Sequence, residues 1–457
     1  MDAGKPVDAP LAGIYRRMVR LALPIVGQNL VTYGVTLADN LMIGRLGEAA
    51  INGLFMAAIV QFVLSMLLFG VGSAMTVLCA QYWGRRDTGR IKTIVAICLR
   101  GALAIAVAVF AAAFLCPRQI LGILTDSAPA IDTGAAYLRV VSVSYLFFGG
   151  TTILVSAMRT VEVVSIGLVN SLAALGVNVA LNYALIFGNW GAPALGVEGA
   201  AWATVVSRLA EFAIALVFVL RIDTRLRFRP RDFLRRDRAL LRDLVRYGTP
   251  LMLGQIVWVV NKFSMRAIVG HFDASSSAAV SVAENLDGLL WTGTVGLASA
   301  MGILTGTLIG AGAGLATIRS YARRMQGVFA AIGAASFLIV LFAGDFFVSF
   351  YTLEPETVDA ARVFLLVLAF SVMGRAYQAP CLMGLVKAGG DTSFVFKNDA
   401  FWVFCWVLPG ALLARFVFHA PDWAVYAILL SDQVAKCFVA AVKINRFTWI
   451  RNLTRAS

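Results

Sequence analysis

Asp39 lies in LPIVGQNLVTYGVTLADNLMIG (23–44), an apolar run where an ionised group is costly to bury unless it has partners. Three other polar residues fall at a similar level: Asn178 and Asn182 in GVNVALNYALIFG (176–188) and Thr204 in PALGVEGAAWATVVSR (193–208). Counted inward from the outer end of each run at ~1.5 Å per residue, Asp39 is about four residues deep, Asn182 about seven, Thr204 about nine and Asn178 about eleven, a band of roughly 10 Å. Asn178 and Asn182 are four residues apart and share one helix face. A carboxylate with two amide oxygens and a hydroxyl is an all-oxygen set, suited to a proton or a hard monovalent cation and unsuited to zinc. The alternative is that Asn and Thr only tie helices together while Asp39 faces water at a helix end. An intramembrane carboxylate is by default a functional group.

The second half carries a different set. Lys262 and Glu284 are each about eight residues from the outer face at helical rise, so they are expected to pair, with Arg266 and Asp287 close by. Arg208 with Glu211 and Asp432 with Lys436 have the spacing of local helix pairs. Asp399 has no partner evident in the sequence, and Glu162 and Glu198 lie near span ends with no role assigned to them. Tyr145, Phe148, Met66 and Trp258 have side chains that could line a cavity for organic molecules, or pack against helices and lipid.

The elements that position these residues are membrane spans. The chain is 60% apolar and 14% charged, with mean hydropathy +0.82, well outside the range of soluble domains. Twelve runs are long and apolar enough to cross a bilayer, near 21–43, 54–81, 94–115, 134–158, 165–188, 196–220, 248–269, 277–309, 326–350, 360–386, 393–418 and 423–444. The net charge of +14 is spread over short loops, which indicates orientation signals and no nucleic-acid partner. Basic segments (Arg16, Arg17 and Arg20; Arg85, Arg86, Arg90 and Lys92; Arg319, Arg323 and Arg324; Lys443, Arg446 and Arg451) alternate with sparse ones, so both termini are expected in the cytoplasm. The stretch 221–246 holds ten Arg and is expected to link two halves, its DRALLRDLVRYG portion forming an amphipathic helix. The expected organisation is a six-helix lobe over 1–222, a cytoplasmic linker over 223–246 and a second six-helix lobe over 247–457. The six Cys show no CxxC spacing and the two His are far apart, so no metal site is expected. Neither a P-loop nor HExxH or GxSxG occurs, and no enzyme activity is expected.

The halves are related. VRLALP (19–24) aligns with VRYGTP (245–250), and GSAMTVLCAQYWG (72–84) aligns with ASAMGILTGTLIG (298–310). Parallel repeats of six spans imply two lobes related by an axis along the membrane normal. In this register Asp39 lies opposite Met265 and Thr36 opposite Lys262: one copy kept an acid where the other acquired bases. Gly302, Gly306, Gly310 and Gly314 form a repeated GxxxG, a close-packing signal. Pro24 removes one hydrogen bond from the first span and gives it a hinge.

PIVGQNLVTYGVTLADNLMIGRLG (24–47), AQYWGRRD (80–87), GVNVALNYALIFG, PALGVEGAAWATVVSR, TPLMLGQ (249–255) and KAGGDTS (387–393), in this order, resemble the multidrug and toxic compound extrusion (MATE) family over nearly the whole chain. The resemblance implies an all-α membrane protein of twelve transmembrane helices in two pseudo-symmetric six-helix bundles, multi-pass in a bacterial-type inner membrane. It also implies a monomeric antiporter that exports small organic, often cationic or amphipathic, compounds by alternating access against inward H⁺ or Na⁺, with no other cofactor and membrane lipids as neighbours. The family's first-lobe cation site falls on Asp39, Asn178, Asn182 and Thr204. Some members have an acid at the position of Asn182, and its being Asn leaves one carboxylate, which favours H⁺ over Na⁺. A flippase for lipid-linked saccharides, from the same superfamily, is the alternative.

Overall fold

The computed structural model describes residues 12–43, 48–351 and 353–455. The 44–47 portion of the first motif lies outside the described residues. The described chain is helical throughout: α1 (Ala12–Ile43), α2 (Glu48–Gly84), α3 (Thr88–Leu115), α4 (Pro117–Gly122), α5 (Ala128–Val141), α6 (Ser144–Thr160), α7 (Ser165–Phe187), α8 (Val197–Val217), α9 (Arg238–Val269), α10 (Ala274–Gly310), α11 (Leu315–Val348), α12 (Pro355–Ala379), α13 (Thr392–Phe401), α14 (Leu408–Leu412) and α15 (Asp422–Arg446). Among the described residues ten helical segments are long and apolar enough to cross a membrane, and the bent pair α5–α6 makes eleven. The expected seventh span lies in α9, whose 32 residues suffice in length but include Asn261, Lys262 and Arg266, too polar to count by composition.

Three departures from the expected spans have local causes. The fourth is broken by 52° between α5 and α6. There the Ser142 hydroxyl donates to the Arg139 carbonyl (2.9 Å), and tightened bonds join Val143 N–H to Val140 O and Tyr145 N–H to Ser142 O. A side chain that takes up a backbone carbonyl competes with the regular ladder and bends the helix. The eleventh runs from Thr392 to Val417 through two π-helical stretches, Trp402–Val407 and Leu413–Val417, that flank Pro409. Pro380 likewise opens the π-helical Pro380–Val386 at the end of α12; wider turns accommodate a residue without an N–H. Finally, the expected amphipathic helix after the linker is the opening of α9, which continues through Pro250 without interruption.

The chain forms two compact units, one from Gly27–Cys79 and Asp87–Gly248, the other from the described parts of Met1–Val26, Ala80–Arg86 and Thr249–Ser457. In the first, α7 packs along α8, α3 along α6, and α8 against α5 and α6. Its Arg-rich segment is built around two carboxylates. Asp223 accepts the N–H groups of Leu226 (2.8 Å), Arg225 (3.1 Å) and Arg227 (3.1 Å). Burial pushes the Asp232 carboxyl up, but the Arg229 N–H (2.8 Å), Lys92 (2.9 Å) and Arg235 (2.8 Å) outweigh it and hold the group below its ordinary value.

In the second unit, α12 packs against α10, α11 and α15 around a core that includes Phe364, Leu368, Val372, Leu429 and Tyr426. The glycine repeat of α10 lets helices approach closely: a Cβ at Gly310 would run into the Gln81 carbonyl, and one at Gly306 into the Ala80 methyl. Gln81 is fully buried. Its Nε2 donates to the carbonyls of Ala388 (2.8 Å) and Arg451 (3.2 Å), and its Oε1 accepts the Leu453 N–H (2.7 Å). Arg85 adds bonds to Thr454 and the Arg455 carbonyl, both 3.0 Å. Two motifs distant in sequence, AQYWGRRD and KAGGDTS, thus meet through one amide that also fixes the C-terminal segment. Gln81→Met keeps the volume but orphans buried backbone groups, each worth about 1–3 kcal/mol. The variant is expected to melt at lower temperature in detergent; melting with the wild type would contradict this role.

Candidate functional site in the first unit

Asp39 approaches the C-terminal end of α1, half-buried. Across from it on α7, Asn182 is completely buried and Asn178 nearly so. The Asn182 Nδ2 donates to Asp39 Oδ1 at 2.5 Å and to Asn178 Oδ1 at 3.1 Å. The i, i+4 spacing that put both amides on one face therefore produces a chain of acid, amide and amide. Asn182 Oδ1 and Asn178 Nδ2 are buried with no hydrogen-bond partner among the described residues. The orphaned Asn182 oxygen can accept from a further donor or meet a cation, while the orphaned Asn178 N–H group can only donate.

Thr204, on α8, turns its hydroxyl to its own helix, donating to the Ala200 carbonyl at 3.0 Å. The Tyr137 hydroxyl, from α5, sits beside Thr204 and within electrostatic reach of Asp39. Arg208 follows Thr204 by one helical turn; its guanidinium binds Glu211 at 2.7 Å and covers the Phe148 ring at 4.8 Å. Arg208 acts on Asp39 electrostatically, but its charge is matched by Glu211, so Asp39 remains the unbalanced acid. Tyr145, beside Tyr137, is buried with its hydroxyl unpartnered, and Met66 is half-buried on α2. Pro24 is carried inside α1 without breaking it, two residues before the chain passes from one compact unit to the other after Val26.

The other intramembrane acids are arranged differently. Glu284 is met by Arg266 at 3.9 Å, in place of the expected Lys262, and Asp287 by the buried Arg375. Lys436 bridges Asp432 and Asp399, both at 2.9 Å, which supplies the partner that Asp399 lacked in the sequence. Trp258 stacks on Trp291, and Lys262 lies over the Trp258 ring. Glu198 occupies the first turn of α8, where a carboxylate favours the helix dipole; Glu162 adopts a left-handed backbone (φ 63°) just after α6. Glu211, Glu284, Asp287, Asp399 and Asp432 thus each have a cation within ion-pairing distance, whereas Asp39 has an amide.

The MatE family profile matches residues 24–184 and 250–401. The chain belongs to the MatE family. Among curated MATE relatives it is 24% identical to "Probable multidrug resistance protein YoeA" of Bacillus subtilis over 367 residues, 79% of this chain and 78% of that one. It is 25% identical to "Probable multidrug resistance protein NorM" of Listeria monocytogenes over 376 residues, 81% of each chain. Its fold matches the Vibrio cholerae MATE transporter VcmN in the bent form with a TM-score of 0.85 at 16% identity, covering 95% of this chain and 97% of the other. It also matches the eukaryotic MATE transporter AtDTX14 with a TM-score of 0.82 at 16% identity, covering 96% and 97%. This is an all-helical, multi-pass membrane protein of the MATE multidrug transporter family, with small molecules as the substrates its relatives imply.

Two residues of this cluster escaped sequence reasoning as part of it. Tyr137 lies on the near side of a helix bend that hydropathy does not register. Arg208 was legible as a partner of Glu211, and its position one turn beyond Thr204 is the signal that places it in the cluster. Replacing Asn182 by Leu removes the donor to Asp39. A hydrogen bond to a charged group is worth about 1.5–3 kcal/mol, so transport is expected to fall roughly 10- to 100-fold. Substrate efflux from vesicles at matched protein abundance measures this, and wild-type rates would contradict the site.

Proposed function

We propose that the chain is an H⁺-coupled antiporter that exports small organic compounds across a bacterial inner membrane, with Asp39 as the coupling group. The observation that carries this reading is the Asp39–Asn182 contact in a cluster whose other acid, Glu211, is already neutralised. Asn182 suits both charge states of the carboxyl. Its Nδ2 donates to the carboxylate, and after rotation of the amide its Oδ1 accepts from the protonated acid. Protonation from outside removes the buried charge; deprotonation on the inside restores it, and only the charged form needs a donor.

In this reading α9, as the seventh span, completes a set of twelve, both termini are cytoplasmic, and 1–222 and 247–457 are the two lobes joined by the Arg-rich linker. Pro24 leaves the backbone of α1 one hydrogen bond short beside the place where the helix changes unit, so α1 bends there as Asp39 changes charge. The lobes rock about the substrate route to alternate access. Na⁺ would require more oxygen ligands than one carboxylate with amides and a hydroxyl readily supply, so H⁺ is the coupling ion.

Asp39→Asn protein, at wild-type abundance in everted vesicles, is expected to lose proton-driven dye efflux by at least tenfold, on the order of what removing an essential charged group costs. A pH gradient without Na⁺ is expected to drive the wild type fully. Unchanged efflux by Asp39→Asn, or a strict Na⁺ requirement, would overturn the proposal.

A further inference from the structure

The second unit contains a cluster of aromatic rings and charges that proton coupling through Asp39 does not use. Trp258 of α9 and Trp291 of α10 stack with ring centroids 6.2 Å apart and planes inclined by 14°. The Lys262 ammonium lies 6.0 Å from the Trp258 ring, and the Arg375 guanidinium lies 5.3 Å from the Trp291 ring. Both indoles are half-buried, leaving part of each surface accessible.

Three cations, Lys262, Arg266 and Arg375, face two carboxylates, Glu284 and Asp287. Asp287 is taken by Arg375, both side chains being largely buried, and Glu284 is met only at 3.9 Å by the exposed Arg266. Among the described residues no carboxylate comes within ion-pairing distance of Lys262; its ammonium acts on Asp287 from farther away. Arg375 is itself 6% exposed, and its Nε is buried with no hydrogen-bond partner. The phenol of Tyr426, from α15, is also within electrostatic reach of Asp287 and Glu284.

An indole face ordinarily attracts cations. Here each of the two indoles already carries a resident cation, and the three cations outnumber the two carboxylates, of which Asp287 is bound by Arg375 and Glu284 is held only loosely. A permanently cationic ligand therefore meets a net like charge. A planar aromatic ligand still gains from stacking on the tryptophan pair, and an acidic group on it would accept from Lys262. We propose that this cluster recognises planar aromatic compounds bearing a carboxylate, acids or zwitterions, in preference to permanent cations. It rests on the exporter reading, whose substrate class it names.

The test uses the full-length protein in nanodiscs and three ligands that share one ring system: naphthoate, naphthamide and naphthyltrimethylammonium. Quenching of tryptophan fluorescence, corrected with empty nanodiscs, is expected to show naphthoate binding on the order of tenfold more tightly than the ammonium, as one charge-assisted bond would give. Lys262→Gln should erase the preference for naphthoate over naphthamide and retain naphthamide binding. Trp291→Leu should weaken naphthoate and naphthamide in parallel. Equal or tighter binding of the ammonium by the wild type, or an unchanged preference in Lys262→Gln, would overturn the proposal. Proteoliposomes separate the two readings: a naphthoate preference in binding without gradient-driven transport would fault the exporter reading alone, and driven transport without the preference would fault this one alone.

Discussion

A carboxylate placed inside an apolar helix needs a cation, a proton or a set of hydrogen bonds, because the surrounding hydrocarbon supplies none of them. The rest of this structure follows from how that demand is met. Five other acids on these helices are met by Lys or Arg within ion-pairing distance. Asp39 has instead the side-chain amide of Asn182, a neutral partner that serves a charged or an uncharged carboxyl with similar ease. The contrast between ion-paired acids and an amide-bound acid is what the proposed function rests on in assigning the change of state to Asp39.

The scaffold gives that change somewhere to act. α1 carries Asp39 toward one end and Pro24 in its interior, just before the helix passes from one compact unit to the other. α2 passes between the units as well, after Cys79, and its final turns are held by the C-terminal segment through Gln81 and Arg85. Glycines at 306 and 310 allow α10 to press directly against those turns. Close packing and a buried amide hold that end of α2, while Pro24 leaves α1 one backbone hydrogen bond short.

Much of this was legible in the residues. Ten of the spans, eleven with the bent pair, follow from hydropathy; the helical spacing of Arg208 with Glu211 and of Asp432 with Lys436 foretold pairs that the structure forms, and that of Asn178 with Asn182 put on one face two amides that bond. Depth counting brought Asp39 to the level of Asn182 because both are measured from the same membrane face. The same counting paired Lys262 with Glu284 and failed, since depth fixes height along a helix but not rotation about its axis; Arg266 faces that acid instead. Arg375 and Asp399 find their partners on helices distant in sequence, and the bend between α5 and α6 falls at Ser142, whose hydroxyl takes the Arg139 carbonyl. Composition averages over all three.

The central claim is that one carboxyl exchanges a proton in step with substrate. Its most direct test is proton release, followed with a pH-indicator dye in weakly buffered detergent solution, when a transported compound is added to the purified protein. Wild-type protein is predicted to release a proton as substrate binds and Asp39→Asn protein to release none while still binding the compound. Equal release from both proteins would contradict the account.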